Sequence, residues 1–312
     1  MKLLKQFESQ HERIWAVAFS PNGQYFATAN AGGEINIYEV QNDFSHLQTI
    51  RLGFCTRSIC FSDNSQKLIV GCYNKNVYIY ILMENDFQPF ATLDQAHSKE
   101  IKCVASRKRL IASCGRDRRV CVWRSMPDAE DDFDCLSVFE LHTQDVKSVF
   151  FGGKRLCSTS YDNTVQVYCE DYVDGELEYK PEASYKSPVG AEEQKYVENE
   201  LGGTIWSGLF TEQNKLVVSD QFGCLSLLKI DGESIKVERQ RRVHDGPCYK
   251  VVAFQDGYCS VGADGYVKYC DKMFNVLEEA VVDGEINCVD AWSTVFAVGD
   301  DMGIVRLFEL DE

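Results

Sequence analysis

His97, Ser113 and Asp117 form a trio that returns as His142, Ser158 and Asp162 and again as His244, Ser260 and Asp264. Histidine, serine and aspartate are the side chains of nucleophilic hydrolysis, in which an oriented imidazole takes a proton from a hydroxyl. A catalytic constellation is needed once per site. Repetition of the set along one chain therefore assigns these residues to the fold.

The other reactive side chains are the 14 cysteines. No Cys-x-x-Cys pair occurs, so the spacing of a zinc or cluster site is missing. The cysteines fall inside apolar segments such as "RSICF", "IKCVAS", "VCVW", "GYCSV" and "EINCV". There a free thiol behaves as a small hydrophobe, and reduced core thiols without a cofactor are the expectation in a cytosolic protein. The formal net charge of −16 repels phosphate backbones, which argues against nucleic acid as a direct partner. No apolar run is long enough to span a bilayer. The first residues, "MKLLKQFESQHERIW", lack a signal-peptide core, so a cytoplasmic location, or the nucleus, is expected.

His11, His97, His142 and His244 each stand just before a strand-like run. His97 to His142 is 45 residues, and His11 to His97 is 86, two periods of 43. A period of about 40–45 residues, with histidine, then an aspartate turn, then an aromatic, is the pattern of a WD40 blade. Seven units begin near His11, Gly53, His97, His142, Leu201, His244 and Val282. The expected fold is all-β, a seven-bladed WD40 β-propeller spanning 1–312. Residues 2–7 have strand character and are assigned the outer strand of blade 7, because a closed ring leaves no exposed edge there. No independent domain is expected. Residues 170–200, with Pro181, Pro188 and many charges, read as a long surface insertion, ordered or not.

Within a blade, histidine, hydroxyl, aspartate and aromatic form one hydrogen-bonded chain, favourable only if every member is paired. Blade 3 has the full set His97, Ser113, Asp117 and Trp123, and blade 4 has His142, Ser158, Asp162 and Tyr168. Blade 6 has His244, Ser260 and Asp264, with Cys270 in the aromatic place; blade 1 has His11, Thr28 and Tyr38, with Gly32 in the aspartate place. Asn74, Phe222 and Met302 fill the aspartate place in blades 2, 5 and 7.

The run "RDRR", Arg116 to Arg119, therefore divides. Asp117 belongs to the fold, and Arg118 and Arg119 read as a solvated turn. Arg116 precedes the turn and projects over the narrow mouth of the central channel. There it is either a carboxylate-binding contact or a surface arginine with a neighbouring acid. Trp15, Arg57, Lys102, Lys147, Trp206, Tyr249 and Asn287 start the inner strands on the same rim, and Tyr161 takes the Arg116 position in blade 4. These residues are either a recognition patch or a plug for the channel.

Several segments carry a more specific likeness. "AHSKEIKCVASRKRLIASCGRDRRVCVWRS" is followed by "DAEDDFDCLSVFELHTQDVKSV" and "STSYDNTVQVY", then by "VHDGPCYKVVAFQDGYCSVGADGYV", "GEINCVDAW" and "GDDMGIVRLFEL". Together they resemble the WD40 proteins of the cytosolic iron–sulfur protein assembly (CIA) machinery, of which this chain looks like a divergent member. The likeness covers all seven blades and is mainly one of framework in blades 1, 2 and 5. The resemblance implies a non-catalytic scaffold of a targeting complex, with a MIP18-family protein and a HEAT-repeat adaptor as partners. That complex receives clusters from a hydrogenase-like Fe–S carrier and passes them to Fe–S client apoproteins. The WD40 member holds no cluster. The family carries an arginine before the turn aspartate of its third blade, matched by Arg116, and some clients expose a C-terminal aromatic with its free carboxylate.

Two other classes compete. A generic WD40 adaptor, such as a ubiquitin-ligase substrate receptor or a trafficking component, shares the framework, since fold does not set function. A propeller enzyme needs perturbed acids or a metal in a pocket; no such set stands outside the repeat, and His46 is a lone loop histidine.

Overall fold

Short strands separated by tight turns make up most of the described chain. The computed structural model describes residues 1–8, 12–187 and 201–310. Among these, 28 strands form seven four-stranded antiparallel units, lettered here a to d from the axis outward. The inner a-strands are Ile14–Phe19, Thr56–Phe61, Ile101–Arg107, Val146–Gly152, Ile205–Glu212, Cys248–Phe254 and Ile286–Trp292. Each lies against the next, and the seventh lies against the first. Lys2–Glu8 pairs antiparallel with Ile304–Glu309, from Lys2 opposite Glu309 to Glu8 opposite Ile304. The N-terminal strand is thus strand d of blade 7, as the sequence predicts.

The b-strands lie buried on both faces. Leu110–Gly115 is buried at every residue, because each sheet is covered by a neighbour on either side. The core accordingly divides into seven wedges, each shared by two adjacent blades. Ile14, Phe26 and Tyr38 of blade 1 meet Ala297, Val305 and Leu307 of blade 7 in one wedge. Val165 and Val167 of blade 4 meet Ile205 and Leu216 of blade 5 in another. Each valine, leucine, isoleucine or phenylalanine among them, fully buried, contributes about 1.5–3 kcal/mol. Ten of the 14 cysteines are buried, all 14 are free thiols, and Cys72, Cys114, Cys157 and Cys259 pack within these wedges. Burial pushes the Cys72 thiol up to about 12.

The first part of segment 170–200 is strand. Residues 170–173 end strand Thr164–Val173, and Glu176–Lys186 is strand d of blade 4, so much of the expected insertion is an extended hairpin. Pro181 is tolerated because this is an outer strand with a bulge between Val167 and Tyr168 of its partner. One parallel pairing, Ser184 with Ser234, ties it to strand d of blade 5. Residues 188–200 lie outside the described residues.

The polar chains form as expected in blades 3 and 4. His97 Nδ1 lies 2.9 Å from Asp117 Oδ1, and Nε2 lies 2.8 Å from Ser113 Oγ, which accepts from Trp123 Nε1 at 3.1 Å. His142 Nε2 lies 2.7 Å from Ser158 Oγ, which is 3.1 Å from the Tyr168 hydroxyl. In that blade Nδ1 lies nearer Thr164 Oγ1, at 2.8 Å, than Asp162, at 3.3 Å. In blade 6 His244 contacts Asp264 at 3.0 Å and Ser260 at 2.9 Å, and the chain stops there because Cys270 is the next member. Each aspartate also accepts backbone N–H bonds: Ser98 and Arg119 donate to Asp117, Thr143 and Thr164 to Asp162, Asp245 and Tyr266 to Asp264. Burial opposes ionisation of Asp264, but the bond and attraction of His244 outweigh it and hold the carboxyl at about 2. His11, the blade 1 member, lies outside the described residues.

Blades 1, 5 and 7 solve the same problem two residues upstream, on the last residue of strand b. Asn30 accepts from Glu34 N at 2.9 Å. Asp220 accepts from Phe222 N and Cys224 N, each at 2.9 Å. Asp300 accepts from Met302 N and Ile304 N, and its second oxygen pairs with Arg306. The b–c turn is thus held by a side-chain acceptor in all three, although the turn aspartate is gone.

Asp117→Ala removes the acceptor of His97, Ser98 and Arg119 and is expected to cost about 1–3 kcal/mol in a denaturant melt. Asp220 is the reverse case: burial raises its carboxyl to about 7. A carboxyl raised in the fold contributes stability that is full below the unfolded value near ~4 and lost as pH rises through about 7. Asp220→Asn, which copies Asn30, is expected to remove that loss. The variant's melting temperature relative to the parent should be higher at pH 8 than at pH 5; an equal difference at both would contradict the assignment.

Candidate functional site

Every a–b strand pair breaks register at the same place, between its first and third inner residues. The residue left unpaired is Trp15, Arg57, Lys102, Lys147, Trp206, Tyr249 and Asn287 in blades 1 to 7. A β-bulge re-aims its side chain away from the sheet. Here seven bulges at equivalent heights turn seven side chains toward one opening, the mouth of the central channel.

All seven line a single recess, together with Arg13, Tyr73, Tyr161 and Glu285. The sequence-predicted rim residues Trp15, Arg57, Lys102, Lys147, Trp206, Tyr249 and Tyr161 are therefore brought together. Arg116 is not among the lining residues. It sits outside the recess, exposed, with its Nη1 3.2 Å from Glu100 Oε1. Tyr73, which sequence reasoning missed, holds in blade 2 the position that Tyr161 holds in blade 4; carrying the Arg116 rule to every blade would have found it. Arg13 and Glu285 precede their inner strands by one residue and carry no repeat signal.

The mouth is polarised. Blades 2, 3 and 4 supply Arg57, Lys102 and Lys147, while blades 5, 6 and 1 supply Trp206, Tyr249 and Trp15. Aromatic faces seat the cations: Arg57 lies 4.2 Å from the Trp15 ring centre, and Lys147 3.5 Å from that of Tyr161 and 4.7 Å from that of Trp206. Lys102 Nζ donates to the Tyr73 hydroxyl at 3.1 Å. Trp206 packs edge-on against Tyr161 and Tyr249, and its Nε1 donates to Gln221 at 3.0 Å. The Tyr249 hydroxyl donates to Glu285 at 3.0 Å. Burial, with the nearby Arg57 and Lys102, pushes Lys147 down to about 7. Deeper in the channel lie Ser58, Cys103, Ser148, Ser207, Lys250 and Cys288. Among the described residues, no group of three or more His, Cys, Asp or Glu is placed to hold a metal. The arrangement is equipped to bind an anionic partner.

The four charges of "RDRR" do four different things. Arg116 spans the rim to Glu100. Asp117 holds His97. Arg118 takes a left-handed backbone with φ of 70°, the place that Gly33, Gly223, Gly265 and Gly303 fill in four other blades. Arg119 caps the turn through its N–H and reaches Glu140 at 2.7 Å from Nε.

The sequence pattern of the family "WD domain, G-beta repeat" matches residues 1–39, 87–124 and 133–169. A "Probable cytosolic iron-sulfur protein assembly protein 1" of Sclerotinia sclerotiorum is 36% identical over 96 residues, 28% of this chain and 21% of that protein. A "Probable cytosolic Fe-S cluster assembly factor" of Schizosaccharomyces japonicus is 34% identical over 128 residues, 39% of this chain and 20% of that protein. A Caenorhabditis elegans protein, the "Probable cytosolic iron-sulfur protein assembly protein CIAO1 homolog", is 40% identical over 74 residues, 22% of this chain and 21% of that protein. The chain thus spans about a fifth of the length of the curated relatives it matches. The crystal structure of the WD40 beta propeller domain of Doa1 superposes with a TM-score of 0.77 at 15% identity, over 99% of this chain and 97% of that one, which is a likeness of fold. The chain is a WD40-repeat β-propeller with distant, partial similarity to proteins of cytosolic iron–sulfur assembly.

Proposed function

We propose that this protein is a non-catalytic scaffold of the cytosolic iron–sulfur targeting complex, helping to pass clusters to apoproteins. The observation that carries the reading is the similarity of its segments to proteins named for cytosolic iron–sulfur assembly, at 30–40% identity. The site chemistry agrees with it. The histidine, serine and aspartate sets are spent inside the blades, and the propeller is a typically non-catalytic fold. What the surface offers is a rim of cations and aromatics for docking macromolecules. On this reading the partners are a MIP18-family protein, a HEAT-repeat adaptor, the hydrogenase-like Fe–S carrier and client apoproteins, and the protein works in the cytoplasm.

Arg116 is assigned a partner or client contact in this scheme. Its guanidinium is exposed and tethered to a rim glutamate, so a surface ion pair of little intrinsic worth is exchanged for a partner carboxylate. Affinity purification with mass spectrometry is expected to recover a MIP18-like protein with the parent chain. Arg116→Glu should reduce that recovery about tenfold, the equivalent of one charge-assisted bond, and leave the melting temperature unchanged. Recovery of ubiquitin-ligase or coat subunits in place of a MIP18-like protein would overturn the assignment.

A further inference from the structure

Among the described residues, three cations of the mouth have no carboxylate partner. Elsewhere in the chain three half-buried arginines are matched, Arg155 with Glu182, Arg107 with Glu170 and Arg306 with Asp300, whereas Arg239 and, deeper in the channel, Lys250 are not among the ion pairs of the described residues. Among the described residues, Arg57, Lys102 and Lys147 make no ion pair. Their contacts are rings, one tyrosine hydroxyl and one backbone carbonyl, Trp15 O, which accepts from Arg57 Nη1 at 3.3 Å. Three like charges from adjacent blades, each partly withdrawn from water, repel one another and gain little compensation from the fold. The depressed Lys147 records this: burial lowers it first, then Arg57 and Lys102, while Asp145 only partly offsets them. On a chain of net charge −16, cations held in this state at one opening are arranged for a ligand.

The charge count selects the ligand. A carboxylate carries one negative charge and leaves two cations unmatched. A phosphate dianion brings two charges and three acceptor oxygens, enough for the planar fork of Arg57 and the point charges of Lys102 and Lys147. We propose that the channel mouth is a phosphate-binding site in which Arg57, Lys102 and Lys147 hold one dianionic phosphoryl group. The phosphoryl group comes from a free polyphosphate or from a phosphorylated side chain of a partner. The proposal rests on reading the mouth as a recognition surface, and it stands apart from the Arg116 contact.

The test is isothermal titration of the full chain at pH 7 and physiological salt with three probes: inorganic pyrophosphate, N-acetyl-phosphoserine amide and N-acetyl-glutamate amide. Saturable 1:1 binding of at least one phosphate probe is expected, tighter than that of the glutamate probe, and the tighter of the two phosphate probes identifies the source. Lys147→Met and Arg57→Gln should each weaken it about tenfold, while Lys99→Met, an exposed lysine outside the recess, should not. Without ligand, Lys147→Met should melt no lower than the parent, because it removes an unmatched cation. Absence of phosphate binding, binding of the glutamate probe as tightly as phosphate, or a lower melting temperature for Lys147→Met would overturn the proposal. None of these results bears on capture of a MIP18-like protein through Arg116, so the two readings fail separately.

Discussion

The structure depends on closure. Each of its apolar wedges is built from two blades, so no blade covers its own faces and a missing neighbour exposes a core. In an open repeat array the terminal units need caps. Here the array returns to its start, and the pairing of Lys2–Glu8 with Ile304–Glu309 fixes the last blade to the first stretch of chain. That pairing also covers the hydrogen-bonding edge that Ile304–Glu309 would otherwise expose.

Within this ring, polar side chains do local work. A strand that turns sharply leaves backbone N–H groups facing a nearly dry interface, where each unsatisfied group costs about 1–3 kcal/mol. Asp117, Asp162 and Asp264 meet that cost from the turn, each steadied by a buried histidine. Asn30, Asp220 and Asp300 meet it from the end of strand b. The backbone requirement is the same in all six blades, and the side chain that answers it is free to move by two positions. Asp300 gains Arg306 as a counter-ion, whereas Asp220 has Arg242 only as a distant attraction, too weak to offset the burial that raises its carboxyl.

The fold is legible in the sequence because its signals are periodic. His97, His142 and His244 stand at a fixed place before an inner strand, and that spacing places all seven bulge residues at the mouth. What escapes are solutions that leave the period. Asp220 and Asp300 are invisible to a search centred on Phe222 and Met302. Glu176–Lys186 reads as loop because Pro181 and a run of charges are what an exposed outer strand tolerates and an inner strand does not. The repeat puts Arg116 over the channel, but its distance from the recess depends on the Glu100 side chain, and no repeat specifies that. Arg13 and Glu285 escape for the same reason.

On the proposed reading fold and recognition are separated in space: buried acceptors fix the blades, and the bulges present cations and rings at one opening. The separation holds only while the ring is shut. Its most direct test is removal of residues 1–8, followed by thermal melting and light scattering of the shortened chain. The account predicts a lower melting temperature and self-association through the uncovered edge of Ile304–Glu309. A monomer that melts with the full-length protein would contradict it.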